Sequence, residues 1–149
     1  ANKKIGFTLS AVFMIQAFFD KIVEVSNASD FIFCNEDEAL AFAGCDSLEQ
    51  AISMIKQVAG QIVVTLGARG ALIDDGQQQW QIDGVPVEAV DTNGAGDMFA
   101  GAYLYAITHG LNAARAGQFA SHAAATVVSD YGPRLDTQQY GPIRQQFFN

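Results

Sequence analysis

The stretch Asp91-Thr92-Asn93-Gly94-Ala95-Gly96-Asp97-Met98-Phe99 brings together residue types that can do chemistry. Gly94 and Gly96, with only Ala95 between them, let the backbone turn tightly with its amides pointing one way. The stretch follows an apolar strand-like run and opens a helix-like one. Free N–H groups and the helix dipole would therefore form an anion site there. Asp97 falls in the first helical turn. An acid inside an anion site serves little purpose in static phosphate binding. It does serve if it removes a proton from a hydroxyl that attacks a phosphoryl group, while the amides stabilise charge on the transferring oxygens. The plain alternative is a capped helix, because Asp in a first turn is favoured on electrostatic grounds alone.

Two familiar phosphate loops do not fit. A Walker A loop needs Lys-Ser or Lys-Thr after its last glycine, and none follows Gly96. The dinucleotide fingerprint needs Gly or Ala where Phe99 stands, with an acid some way downstream at a strand end. The corresponding Ala113 to Gln118 region reads as helix and has no acid. A nicotinamide enzyme is disfavoured.

Around this stretch the hydrophobic period alternates between strand and helix. Ile5 to Leu9 is strand-sized, and Val12 to Val25 repeats apolar residues on one helical face. Phe31 to Cys34 is a continuous apolar strand, as in a parallel sheet buried on both faces. Glu36 to Ala43 reads as a helix closed by Gly44, and Ser47-x-x-Gln50 as a capping box opening Leu48 to Val58. Ile62 to Leu66 is the next buried strand. A hairpin follows, from Ala71 to Ile82 with its turn at Asp75-Gly76, and then a strand over Val85 to Val90. Ala95 to His109 and Ala113 to Val128 are helices, the second capped by Asn112. Asp136 caps a short turn, and Pro142 suits the first turn of a last helix. The order predicts an α/β domain with a mainly parallel sheet, whose ligands lie beyond the carboxyl ends of the strands. The residues singled out above follow strands.

Composition narrows the classes. The chain has 149 residues, half of them hydrophobic and only 16% charged, which excludes a disordered chain and fits one domain. A net charge of −8 disfavours a duplex nucleic acid partner. No apolar run is long enough for a membrane-spanning helix, so no membrane partner is expected. Two cysteines, Cys34 and Cys45, make no disulfide framework, and a cytoplasmic location is the default expectation.

Asp91 to Phe99 resembles the second signature of the ribokinase-like (PfkB) carbohydrate kinases. Asn35-Glu36-Asp37-Glu38 resembles the family's Asn-x-x-Glu motif, and Thr65-Leu66-Gly67-Ala68-Arg69-Gly70 its nucleotide-binding turn. Phe119 through Gly132 resembles the late helix and loop beside the adenine pocket. Within the family the adenosine kinase branch is most similar, through Leu9-Ser10-Ala11-x-Phe13, Asn35-Glu36-x-Glu38-Ala39 and the Asp91 to Asp97 string. The turn at Thr65 looks more like that of the sugar kinases. The resemblance implies a three-layer Rossmann-like ribokinase fold and an ATP-dependent transfer of the γ-phosphoryl group to an alcohol of a nucleoside or sugar. The alternative is a nucleotide-binding module of the same fold without catalysis.

The resemblance also implies roles. Asp97 matches the catalytic base, and Gly94, Ala95 and Gly96 the anion hole. Asn35 lies on the nucleotide side, and Glu38 on Mg²⁺ through water. The plain alternative for this pair is a helix cap and a solvated first-turn acid. Thr65, Gly67 and Gly70 match nucleotide contacts, against ordinary turn chemistry. His122 is placed at the adenine, against packing. Asp91 and Asn93 match a loop that binds K⁺ through backbone oxygens, with partner oxygens from the Val127 to Pro133 region. Phe13, Phe18 and Phe19 read as core at helical spacing. The matched motifs all belong to the carboxyl-terminal part of the family, and the Ala1-Asn2 start has no Met. Residues 1–149 are therefore expected to be the nucleotide-binding and catalytic part, without the amino-terminal acceptor-binding half and lid, and with little turnover alone. An open sheet edge would favour a homodimer.

Overall fold

The computed structural model describes residues 3–148, so the Met-less start at Ala1-Asn2 lies outside the described residues. Three apolar strands set the frame. Gly6–Thr8 (β1), Phe31–Asn35 (β2) and Gln61–Thr65 (β3) pair in parallel, with Gly6 opposite Phe31 and Phe31 opposite Gln61. Ala71–Asp74 (β4) and Gln79–Ile82 (β5) complete a five-stranded sheet in the order β1-β2-β3-β4-β5. The fold class is α/β with a mainly parallel sheet and helices, as the alternating periods predict.

The chain divides into two compact units. One comprises the residues up to Leu66 together with Leu72–Gln79, and the other Gly67–Ala71 together with Trp80 onward. In the first, β1 is followed by Val12–Ala17 (α1) and Phe19–Asn27 (α2), and β2 by Glu36–Ala43 (α3) and Leu48–Ile55 (α4). Parallel neighbours need such crossovers. Consecutive residues Phe31 to Cys34 are all buried because both faces of the strand are covered. Ile32, Cys34, Ile62 and Val64 pack with Ile15, Ile22, Ile52 and Ile55 from the helices. In the second unit, Ala95–Thr108 (α5) and Ala113–Val128 (α6) pack through small residues, with Ala102, Ala106, Ala116 and Ala120 buried. Thr137–Phe147 (α7) follows.

Several expectations are corrected. Val12 to Val25 is not one helix. It breaks at Phe18, whose φ of −132° and ψ of 33° end α1 and start α2. The Phe stripe is not core, since Phe13 is 68% exposed and Phe18 and Phe19 are also exposed. The break turns Phe19 toward Phe42, 5.8 Å away between ring centroids. The buried positions are instead Ile15, Ile22 and Ser26. Helix α4 stops at Ile55 rather than Val58, and Ser47 makes only the forward half of the expected box, accepting from the Gln50 amide at 3.4 Å. Val85 to Val90 forms no strand. Pro86 has no N–H for a ladder, and Val90 and Asp91 both donate to the Val128 carbonyl. Asp136 caps a full helix, α7, and Pro142 lies inside that helix rather than in its first turn.

Candidate functional site

The first cluster sits where two parallel strands end. Asn35, last residue of β2, is the register partner of Thr65, last residue of β3. Asn35 is also the N-cap of α3. The Glu38 amide donates to Asn35 Oδ1 at 2.8 Å. In return the Asn35 amide donates to Glu38 Oε2 and the Asn35 Nδ2 to Glu38 Oε1, each at 3.0 Å. This is a complete capping box. Glu38 is only 7% exposed, so the alternative of a solvated first-turn acid is corrected. Its carboxylate is held at the strand ends by two bonds from Asn35, and its backbone amide adds a third. Burial, with the Glu38 charge second, drives the Cys34 thiol far above its ordinary value and keeps it protonated. The Thr65 hydroxyl donates to the Cys34 carbonyl at 3.5 Å.

The turn after β3 uses its two glycines differently. Gly67 (φ 59°) is exposed, and a Cβ there would meet nothing within 4 Å. Gly70 (φ 93°) is buried, and a Cβ there would overlap the Ile82 carbonyl oxygen and lie 2.5 Å from the Gly84 nitrogen. Gly70 therefore serves a close backbone approach, while the space over Gly67 is open to a ligand. Both residues lie in the second unit.

The Asp91 to Asp97 segment is built around a loop clamp. The Asp91 carboxylate accepts from the Asn93 amide at 3.0 Å and the Gly132 amide at 3.2 Å. The Asn93 bond and then the Gly132 bond hold the Asp91 carboxyl below its ordinary range. Gly94 has φ 77°, and a Cβ there would lie 2.6 Å from Pro133 Cβ, so only glycine fits where the two loops meet. Gly94 is the N-cap of α5 and no side chain caps this helix, which leaves its first-turn amides without a side-chain acceptor. The Ala95 amide makes one long bond, 3.4 Å, to the Thr92 carbonyl. Gly96 and Asp97 are exposed in that first turn. The expected K⁺ oxygens fit less well. The Val128 carbonyl already accepts from Val90 at 2.7 Å and Asp91 at 3.3 Å, which spends both lone pairs, and Val127 accepts from Asp130.

Two cavities open in the second unit. One, of about 710 Å³, has Asp97 in its wall together with Met98, Tyr105 and Phe119. Its rim carries Arg134 and Arg144. The other, of about 410 Å³, is lined by His122, Arg115, Phe147 and the Asp83 to Pro86 segment. The His122 ring stands edge-on to Phe147 at 5.4 Å, so it both packs and lines the cavity. Ser121 ties α6 to this segment by donating to the Asp83 carbonyl at 3.2 Å. His109, at the end of α5, stacks on Tyr105 at 3.9 Å and is placed by packing.

Comparison with known proteins decides the family. The model of the pfkB family carbohydrate kinases matches residues 1–139. The chain belongs to the pfkB family. Adenosine kinase 1 of Arabidopsis thaliana is 34% identical over 139 residues, covering 81% of this chain and 40% of that protein. Among solved structures, adenosine kinase from Sinorhizobium meliloti superposes with a TM-score of 0.91 at 26% identity, over 97% of this chain and 45% of that one. A candidate Ribokinase II from E. coli in complex with ATP and Mg²⁺ gives a TM-score of 0.83 at 27% identity, over 96% and 49%. The chain thus spans less than half the length of these pfkB relatives and has their fold.

Some residues of this pfkB chain's cavities escaped sequence reasoning. Tyr140 and Arg144 stand one helical turn apart on α7 and share the larger cavity with Arg134. Their i, i+4 spacing was the available signal. Pro142 between them suits a helix start, and that masks the shared face of Tyr140 and Arg144 in the sequence.

Proposed function

We propose that this chain carries the phosphate-side machinery of an ATP-dependent phosphotransferase acting on an alcohol of a nucleoside or sugar. The observation that carries the reading is Asp97, exposed in the first turn of α5, whose amides no side chain caps. Asp97 accepts the acceptor's hydroxyl proton as that oxygen bonds to the γ-phosphorus. The bond from the γ-phosphorus to the β,γ-bridging oxygen breaks, and ADP leaves. The N–H groups at Gly94, Ala95 and Gly96 face the charge on the transferring oxygens.

In this reading Asn35, Glu38 and Thr65 of the first unit, and Gly67 of the second, are each nucleotide-side residues. The donor set at Asn35 and Glu38 suits a hard cation that keeps its waters, so Mg²⁺ would be held through water there. When bound, it would neutralise charge on the nucleotide phosphates. The open space over Gly67 and the cavity at His122 supply room for phosphate and base. Asp91 acts as a loop clamp through the Asn93 and Gly132 amides. The remaining length seen in the relatives would supply the acceptor's other contacts and a cover that excludes water.

The test is ADP formation by the intact polypeptide that carries residues 1–149, with Mg-ATP and a panel of nucleosides and sugars, beside direct titration of Mg-ATP. The reading expects turnover with at least one alcohol. Tight Mg-ATP binding with no turnover on any of them would replace it with a nucleotide-binding module.

A further inference from the structure

We infer that Ser10 is a further binding residue of the nucleotide side, donating its hydroxyl to the terminal phosphate of Mg-ATP. This rests on the reading of Asn35, Glu38 and Thr65 as nucleotide-side residues and extends their row by one strand. Leu9 donates its amide to the Phe33 carbonyl at 3.0 Å, which carries the β1–β2 pairing one residue past Thr8. Ser10 is therefore the next residue along, beside Asn35, which is itself the register partner of Thr65. The three residues stand at the carboxyl ends of neighbouring parallel strands, all within the first unit. Neighbouring strands lie about 5 Å apart, so the row spans roughly 10 Å where α/β sheets take their ligands.

Ser10 holds a backbone conformation that its side chain disfavours. Its φ is 73°, and among the described residues no other non-glycine residue has a positive φ. The Ala11 amide donates to the Leu9 carbonyl at 2.9 Å, closing a three-residue γ-turn around Ser10 in its rare, strained form. Its neighbours over-determine the turn, because Leu9 is 1% exposed and both its amide and its carbonyl are bonded. Ser10 itself is exposed, and among the described residues neither its amide nor its hydroxyl donates to a protein group. Asn35 and Thr65 are instead bonded already, to Glu38 and to the Cys34 carbonyl. Glycine would fit this turn without strain, whereas serine adds one uncommitted hydroxyl to it. In this reading Thr65 runs on into the Gly67 turn at the nucleoside end, and Mg²⁺ is assigned to Asn35 and Glu38 in the middle of the row. The terminal phosphate then falls on the β1 side, beside Ser10. A hydroxyl donating to a charged phosphate oxygen is a charge-assisted bond.

The experiment titrates Mg-ATP and Mg-ADP, and measures melting temperatures, for the intact polypeptide that carries residues 1–149 and for its Ser10 variants. Ser10→Gly relieves the turn and removes the hydroxyl. It is expected to melt no lower than wild type. It should nonetheless bind Mg-ATP about tenfold more weakly, with Mg-ADP affinity unchanged within about twofold. Ser10→Ala keeps the strain and should show the same loss of ATP affinity. Ser10→Asn tolerates the left-handed backbone and restores a donor, and should recover most of it. Mg-ATP affinity unchanged in Ser10→Gly would overturn the proposal and leave Ser10 a turn residue. Equal weakening of Mg-ATP and Mg-ADP would overturn it too, because the contact would not lie at the terminal phosphate. Either result with ADP formation intact in wild type leaves the phosphotransferase reading standing. A Ser10-dependent preference for ATP over ADP, with no turnover on any alcohol, would do the reverse.

Discussion

Asn35 and Thr65 are register partners at the carboxyl ends of the parallel strands β2 and β3. Backbone pairing alone therefore sets side by side two residues whose motifs lie far apart in sequence. This is the place where α/β sheets bind ligands. Each side chain already has a local task. Asn35 caps α3 in its exchange with Glu38, and the Thr65 hydroxyl closes onto the Cys34 carbonyl. The site is thus pre-organised by bonds made without a ligand.

Structural and functional parts of Glu38 are separable. Glu38→Ala removes its two acceptor contacts to Asn35 and should cost about 1–2 kcal/mol in urea unfolding. Glu38→Gln keeps a side chain able to complete the box and should cost under about 1 kcal/mol. In the Gln variant the Mg²⁺ dependence of ATP binding should weaken nonetheless, because the charge is lost. Equal Mg²⁺ dependence in wild type and Gln variant would confine Glu38 to capping.

The two glycines of the Gly67–Arg69 turn and its exit should respond differently to alanine. Gly67→Ala meets open space and pays only for its left-handed backbone, roughly 1 kcal/mol. Gly70→Ala pays a similar backbone cost and also drives a methyl into the Ile82 carbonyl, so its melting temperature should fall much further. Mg-ATP affinity should drop in Gly67→Ala at nearly wild-type stability. Equal melting temperatures for the two variants would contradict the close approach.

Asp74, 1% exposed, gives a pH prediction. Burial pushes its carboxyl up, but the bonds from Lys56 at 2.8 Å, the Gly76 amide at 2.9 Å and Gln79 at 3.2 Å outweigh it and leave the carboxyl below its ordinary value. A depressed native value means that the unfolded state binds the proton more readily. The stabilisation is therefore present above the ordinary carboxylate range, near pH 4, and is lost as pH falls through the native value. Lys56→Met should destabilise by about 2 kcal/mol at pH 7, and by less at pH 3, where Asp74 is closer to neutral. Denaturant midpoints at the two pH values check this. A loss of equal size at both would refute it.

Much of the first unit was legible because its signals are local. The pattern Asn35-x-x-Glu38 followed by Gly44 gives the bounds of α3, since the cap and the left-handed stop are written in single residues. The Asp75-Gly76 turn gives the β4–β5 hairpin in the same way, with Gly76 at φ 87°. The break at Phe18 carries no glycine or proline to mark it, and the contact of Phe19 with Phe42 that accompanies it involves a residue far along the chain. Val85 to Val90 has strand-like composition, but pairing depends on neighbours that no window of sequence contains. The placement of Gly94 and Asp97 at the start of α5 was legible from residue type and spacing. The arginine-rimmed cavity was not, because it needs α5, α6 and α7 brought together.

The role of Asp97 as the base that accepts the hydroxyl proton is open to one comparison. ADP formation with Mg-ATP and the best acceptor of the panel is measured for wild type and Asp97→Asn, with Mg-ATP affinity titrated for both. Turnover is expected to fall about a thousandfold, with ATP affinity unchanged within about twofold. Turnover preserved within about tenfold in Asp97→Asn would contradict it, and would leave Asp97 as an acid placed only to suit the start of α5.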